Sequence, residues 1–109
     1  GLVTVELVQT DPMPYAGASC SISITSVLKA DALTLPLTAL REDSGEQYVF
    51  VAEGTAEETK IRKVSVETGV STIKAVEVVS GLSQGDRVIA DYSVNLKDGM
   101  FVKVKTEDD

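Results

Sequence analysis

The sequence predicts an all-β fold. Val, Ile and Thr fill 31 of 109 positions, Val alone sixteen; these β-branched side chains lose rotamer freedom in a helix and pack well on a pleated sheet. Apolar residues recur with period two between clusters of Gly, Pro, Asp and Ser, and no long 3.6-residue apolar stripe appears. No apolar run approaches the roughly 20 residues of a membrane-spanning helix. At this length one domain, or two very small ones, is expected, with a thin core.

The first strand is Val3–Leu7, with Val3, Val5 and Leu7 on one face. Residues 10–17 read as a loop, because Pro12 and Pro14 withhold ladder donors and Gly17 accepts positive φ. Residues 18–25 alternate cleanly, placing Ala18, Cys20, Ile22 and Ile24 on a buried side and Ser19, Ser21, Ser23 and Thr25 on a wet one. The two strands form a hairpin with a long connection. Pro36 then holds Leu35 extended and ends the pairing of 32–36, and 37–40 is a short connector with room for one helical turn.

Residues 41–46 read as a polar turn with Gly45 as its left-handed residue. Strands follow at 47–52 and 59–69, the latter closing at Gly69 and broken by a bulge near Arg62 and Lys63, where Ile61 and Val64 leave strict alternation. Residues 73–79 form the next strand. The densest turn signal is 80–86, with Gly81, Gly85 and Asp86; the glycines supply the turn and Asp86 bonds local amides. Short strands at 87–90 and 100–104 flank a turn at Gly99.

Several function classes are excluded by composition. Ten basic against seventeen acidic residues give a net charge of −7, and a phosphate-binding face needs the opposite sign. With no His and one Cys, neither Ser-His or Cys-His nucleophilic machinery nor a Cys/His zinc site can be built from this chain alone. Charge is uneven: residues 41–58 are strongly acidic, 59–105 mildly basic, and the tail acidic again. The acidic stretch reads as a solvated loop and hairpin edge.

Local motifs yield no catalytic centre. Cys20 reads as a small core thiol, since a lipidation signal needs a bulky aliphatic where Gly17 stands. Gly81, Gly85 and Asp86 lack the Lys-Ser/Thr pair and following helix of a phosphate loop. Glu57-Glu58 and Asp108-Asp109 are sequence neighbours that point apart, whereas acid/base pairs face each other across a cleft. Tyr15, Tyr48 and Tyr92 are too scattered for a stacking platform. No cofactor or metal is expected.

The order of short motifs says more than any one of them. Residues 15–22 (YAGASCSI), 33–40 (LTLPLTAL), 48–51 (YVFV), 62–69 (RKVSVETG), 76–89 (VEVVSGLSQGDRVI) and 96–100 (LKDGM) run in the sequence order typical of one family. The chain resembles the C-terminal part of the membrane fusion protein family (HlyD-like periplasmic adaptor subunits of efflux and export pumps). Ala18 departs from the Met usual after the glycine, a change of size at a turn.

The resemblance implies that residues 1–31 are terminal strands of the adaptor β-barrel domain. It makes 32–109 a small antiparallel membrane-proximal β domain, with a hinge near 30–36. It implies a non-enzymatic, extracytoplasmic, membrane-associated segment, excised from a protein that also carries a helical hairpin and a lipoyl-like domain. The implied partner is an inner- or cytoplasmic-membrane transporter, an ABC or proton-driven permease, reached through the parent protein. Self-association through exposed strand edges is expected; nucleic-acid binding is not. The competing reading is a stand-alone β-barrel that holds a small ligand in an apolar cavity. An enzyme domain completed by another chain is a third and weaker one.

Overall fold

The computed structural model describes residues 2–12, 20–54, 59–90 and 96–104. The fold is all-β. Its strands are β1 (Val3–Pro12), β2 (Cys20–Ala30), β3 (Leu33–Pro36), β4 (Arg41–Asp43), β5 (Glu46–Gly54), β6 (Thr59–Ser65), β7 (Glu67–Ser71), β8 (Ala75–Ser80), β9 (Arg87–Ile89) and β10 (Phe101–Val104), with a 3₁₀ turn at Leu37–Ala39. No helix among the described residues is long and apolar enough to cross a membrane.

Seven strands form one sheet in the order β4-β5-β6-β10-β2-β1-β9, and β9 also pairs with β5. That last pairing closes β5, β6, β10, β2, β1 and β9 into a six-stranded ring, with β4 attached outside it. Closure removes sheet edges, the usual liability of β structure. The pairing is mixed rather than purely antiparallel: β1 runs parallel to β9 and β10 parallel to β2. The remaining strands form a separate antiparallel sheet, β3-β8-β7.

The two sheets create two cores. Val8, Cys20, Ile22, Phe50, Ala52, Ile61, Ile89 and Val102 fill the ring interior, each at most 6% exposed. Between the ring and the small sheet lies the second core, built around Val5, Leu7, Leu33, Leu35, Val49, Val51, Val76, Val78 and Val88. Period two explains how one strand serves both: on β5, Phe50 and Ala52 point into the ring while Val49 and Val51 face the small sheet. β1 and β9 divide their residues in the same way.

This double burial corrects the expected bulge near Arg62 and Lys63. The β5–β6 register is unbroken there, from Tyr48 opposite Ser65 to Gly54 opposite Thr59. Ile61 belongs to the ring interior and Val64 packs on the other core, so an apolar residue on each face mimics a slipped pattern. Register shifts occur instead between Leu7 and Val8, where Thr25 of β2 is left over, and in β7 on either side of Thr68.

The clean alternation expected along β2 also changes. Burial runs along the strand, not across it: Cys20, Ser21 and Ile22 are buried, and residues from Ile24 to Val27 are exposed. β10 pairs only with Cys20–Ile22, so only that end lies inside the ring. The connection 30–36, expected to join two units, bends at Asp31 and Ala32 and enters β3 directly. On either side of it, hairpin strands β1 and β2 bond to β9 and β10.

Other boundaries differ from the sequence reading: β1 runs on through Pro12, into the expected loop 10–17, and β2 runs on to Ala30. The expected polar turn at 41–46 is a tight hairpin between β4 and β5, with Ser44 at φ 53° and Gly45 at φ 82°. Two successive positive φ values match the right-handed twist of the flanking strands. The expected strand 59–69 breaks at Val66, which is buried in the second core while its amide bonds the Gln47 carbonyl; β6 stays in the ring and β7 enters the small sheet. Ile73, expected in a strand, lies in the turn before β8.

Candidate interaction surface

Among the described residues, eight buried apolar side chains occupy the ring interior. Tyr48, Leu96 and Met100 pack over that core. The segment 96–100 is fixed there by hydrogen bonds from Gly99 N–H to the Ile61 carbonyl and from Ile61 N–H to the Met100 carbonyl, both 2.7 Å. Asp98 accepts a further bond from Lys63 N–H at 3.0 Å. Cys20 has no exposed surface. Burial raises its thiol pKa from the ordinary 9.0, and the nearby Asp11 carboxylate adds to the effect. Such a thiol is protonated and inert at neutral pH.

The candidate turn residues do not converge. Pro36 closes β3 opposite Ala75, Gly45 sits in the β4–β5 turn, and Gly99 in the segment over the ring. Gly85 and Asp86 lie on the turn before β9; the Gly85 amide bonds the Thr4 carbonyl at 2.7 Å, and Asp86 Oδ2 accepts from Ser83 N–H at 2.8 Å. Gly81 takes φ 112°, and a Cβ there would meet the Ser65 carbonyl oxygen at 2.6 Å. Gly69 is not at a turn. It lies inside β7 without a left-handed φ, where a Cβ would strike the Glu77 carboxylate. Its missing side chain makes room for Glu77, at a place where the β7–β8 register shifts between Thr68 and Ser71. Gly17 lies outside the described residues, as do Tyr15, Tyr92, Glu57-Glu58 and Asp108-Asp109.

Several surface charges are paired locally. Glu53 meets Arg62 at 2.9 Å, and Arg87 meets Glu6 at 3.5 Å. Lys63 lies 4.3 Å from the Tyr48 ring centroid and Lys60 4.8 Å from that of Phe101. An open depression of about 300 Å³ is lined by the Glu53–Arg62 pair together with Lys60 and Asp98. No group of three or more acidic, Cys or His side chains suited to a metal occurs among the described residues.

What stands out is the tip of the β7–β8 hairpin. Ile73 is 91% exposed and Val70 75%. The turn around Ile73 is hydrogen-bonded: Thr72 N–H bonds the Ala75 carbonyl at 2.8 Å, Thr72 Oγ1 accepts from Lys74 and Ala75 N–H, and Leu37 N–H bonds the Lys74 carbonyl. A hydrogen-bonded turn thus presents an isoleucine to solvent in a position where polar residues dominate. Sequence reading missed this because an Ile beside β-branched neighbours reads as strand.

Residues 32–104 match the family described as "YknX, C-terminal permuted SH3-like domain". The chain belongs to this family. Within its span fall β3 to β10, including both the tip and the segment over the ring. Among curated proteins, the chain is 36% identical over 75 residues to the "Putative efflux system component YknX" of Bacillus subtilis, covering 69% of this chain and 19% of that protein. It is 34% identical over 76 residues to the "Multidrug resistance protein MdtA" of Klebsiella pneumoniae, covering 70% and 18%. The protein of the same name from Cronobacter turicensis is 32% identical over 74 residues, covering 68% and 17%. The chain therefore spans less than a fifth of the length of these relatives. No solved structure matches it.

Proposed function

We propose that this chain is a non-enzymatic adaptor segment of an efflux or export assembly, acting outside the cytoplasm at the membrane. The observation that carries the reading is the family match over residues 32–104, whose relatives are named as efflux and multidrug-resistance components. The filled ring interior supports it over the ligand-binding barrel, which needs an apolar cavity.

In this reading the module works by held shape. Its partner is a membrane transporter, and the contact is made by the β7–β8 tip. Burying one Ile or Val side chain contributes about 1.5–3 kcal/mol. Ile73 and Val70 together therefore give a weak anchor by themselves, suited to an assembly that repeats the contact in several copies. A turn that is already ordered loses little further entropy on docking.

Site-specific photo-crosslinking in the full-length protein tests this. A photoreactive residue at position 73 is expected to capture an integral-membrane transporter subunit in cells, whereas one at the exposed Lys29 on β2 is not. Equal capture of the transporter from both positions, or capture only of soluble proteins from position 73, would refute the assignment.

A further inference from the structure

The family match begins at residue 32, yet the ring does not close within it. Residues 32–104 supply only β5, β6, β9 and β10 of the six ring strands. In that set β9 pairs with β5 at two positions, Val88 with Val51 and Arg87 with Ala52. β10 pairs with β6 at two positions, Phe101 with Lys60 and Val102 with Thr59. The outer edges of β9 and β10 would be open, and open edges seek strands.

The β1–β2 hairpin fills both. β1 pairs with β9 through Glu6–Arg87, Leu7–Val88 and Val8–Ile89, and β2 with β10 through Cys20–Val102, Ser21–Lys103 and Ile22–Val104. Further bonds extend the seam past the ladder. Glu6 N–H reaches the Asp86 carbonyl and Ala90 N–H the Val8 carbonyl, both at 2.8 Å. Thr4 N–H reaches Gln84 Oε1 at 2.9 Å. The turn 81–86 thus lies along β1 and holds it, which is a use for its Gln, Gly and Asp that needs no ligand.

Packing points the same way. Val8, Cys20 and Ile22 supply three of the eight ring-interior side chains. Val5 and Leu7 enter the second core, with Val3, Leu28 and Ala30 packed against it. Without the hairpin, Val88, Ile89 and Val102 would lose their covering on one side.

We infer that the β1–β2 hairpin is the specific partner of the open β9 and β10 edges, engaged within the same chain, and that the folding unit reaches back across residue 31 to include it rather than beginning at residue 32. The boundary at 31/32 is then one of sequence and not of folding. This inference stands apart from the transport reading and can fail without it.

Native-state hydrogen exchange on the full chain tests it. The amides of Glu6, Gly85 and Ala90, which hold the seam, should open together with the Ile61 amide of the ring, within about threefold in rate after intrinsic correction. Seam amides exchanging a hundredfold faster, with Ile61 still protected, would overturn it. A protease site placed at the exposed Asp31–Ala32 bend gives a second readout. After cleavage, residues 1–31 should remain bound and co-elute as a one-to-one complex. Release of the hairpin from a remainder that keeps its melting transition would overturn the inference. So would an uncleaved chain that sediments as a dimer with exchanged hairpins.

Discussion

Cys20 shows how much one position can say. The sequence placed it on an apolar face with Ile22, and the structure puts both inside the ring with no more than 1% exposure. The folded state holds the thiol proton more tightly than the unfolded chain does, because burial and Asp11 both oppose the thiolate. For an acid with a raised folded pKa, the stabilising difference is complete below the unfolded pKa and is lost as pH climbs toward the folded one. The expected result is a loss of stability above pH 9.0 that is steeper in the natural chain than in Cys20→Ala, measured by urea denaturation at a series of pH values. Equal slopes would show that the thiol is already open to solvent. Other single residues were less legible. Gly69 looked like a strand end, and only coordinates reveal that Glu77 and Val79 occupy the space its side chain would take.

At the scale of the element, turns separate into those fixed by backbone alone and those fixed by neighbours as well. A Cβ on Gly45 meets nothing within 4 Å, so Gly45→Ala bears only the cost of a left-handed φ, about 1–2 kcal/mol. A Cβ on Gly81 meets the Ser65 carbonyl oxygen and the Val66 Cα at 2.6 and 2.9 Å. Backbone must shift there, so Gly81→Ala is expected to cost about 3 kcal/mol or more, the φ term plus overpacking. Thermal or urea unfolding of the two variants checks the order; a milder effect at Gly81 would contradict the close approach of turn and β6. Both glycines were visible in the sequence as turn residues, but their difference was not, since it depends on what lies across the fold. The same holds for strand limits. β4 was hidden inside an acidic stretch, and the break at Val66 between β6 and β7 was invisible because a strand that changes sheet keeps its period. Pro36 and the 3₁₀ turn after it were legible, because a proline acts through its own geometry.

For the whole molecule, the all-β class followed from composition and period, and the order of six short motifs pointed to the family that the match over 32–104 shows. Ring closure and the division into two cores were beyond the sequence. The stretch from Val49 to Ala52 reads as a continuously apolar strand, whereas its residues alternate between two separate interiors. The parallel pairs β1–β9 and β2–β10 join segments about 80 residues apart, and no local signal announces contacts of that kind. The transport reading depends on surface as well as core. Ile73 contributes nothing to either core, so an exposed substitution there should leave stability within about 0.5 kcal/mol. The decisive comparison is therefore Ile73→Asp in the full-length protein, read out as cellular efflux alongside the melting temperature of this module. A module that docks by shape predicts at least a tenfold loss of efflux with an unchanged melting temperature. Unchanged efflux at normal protein level would contradict it.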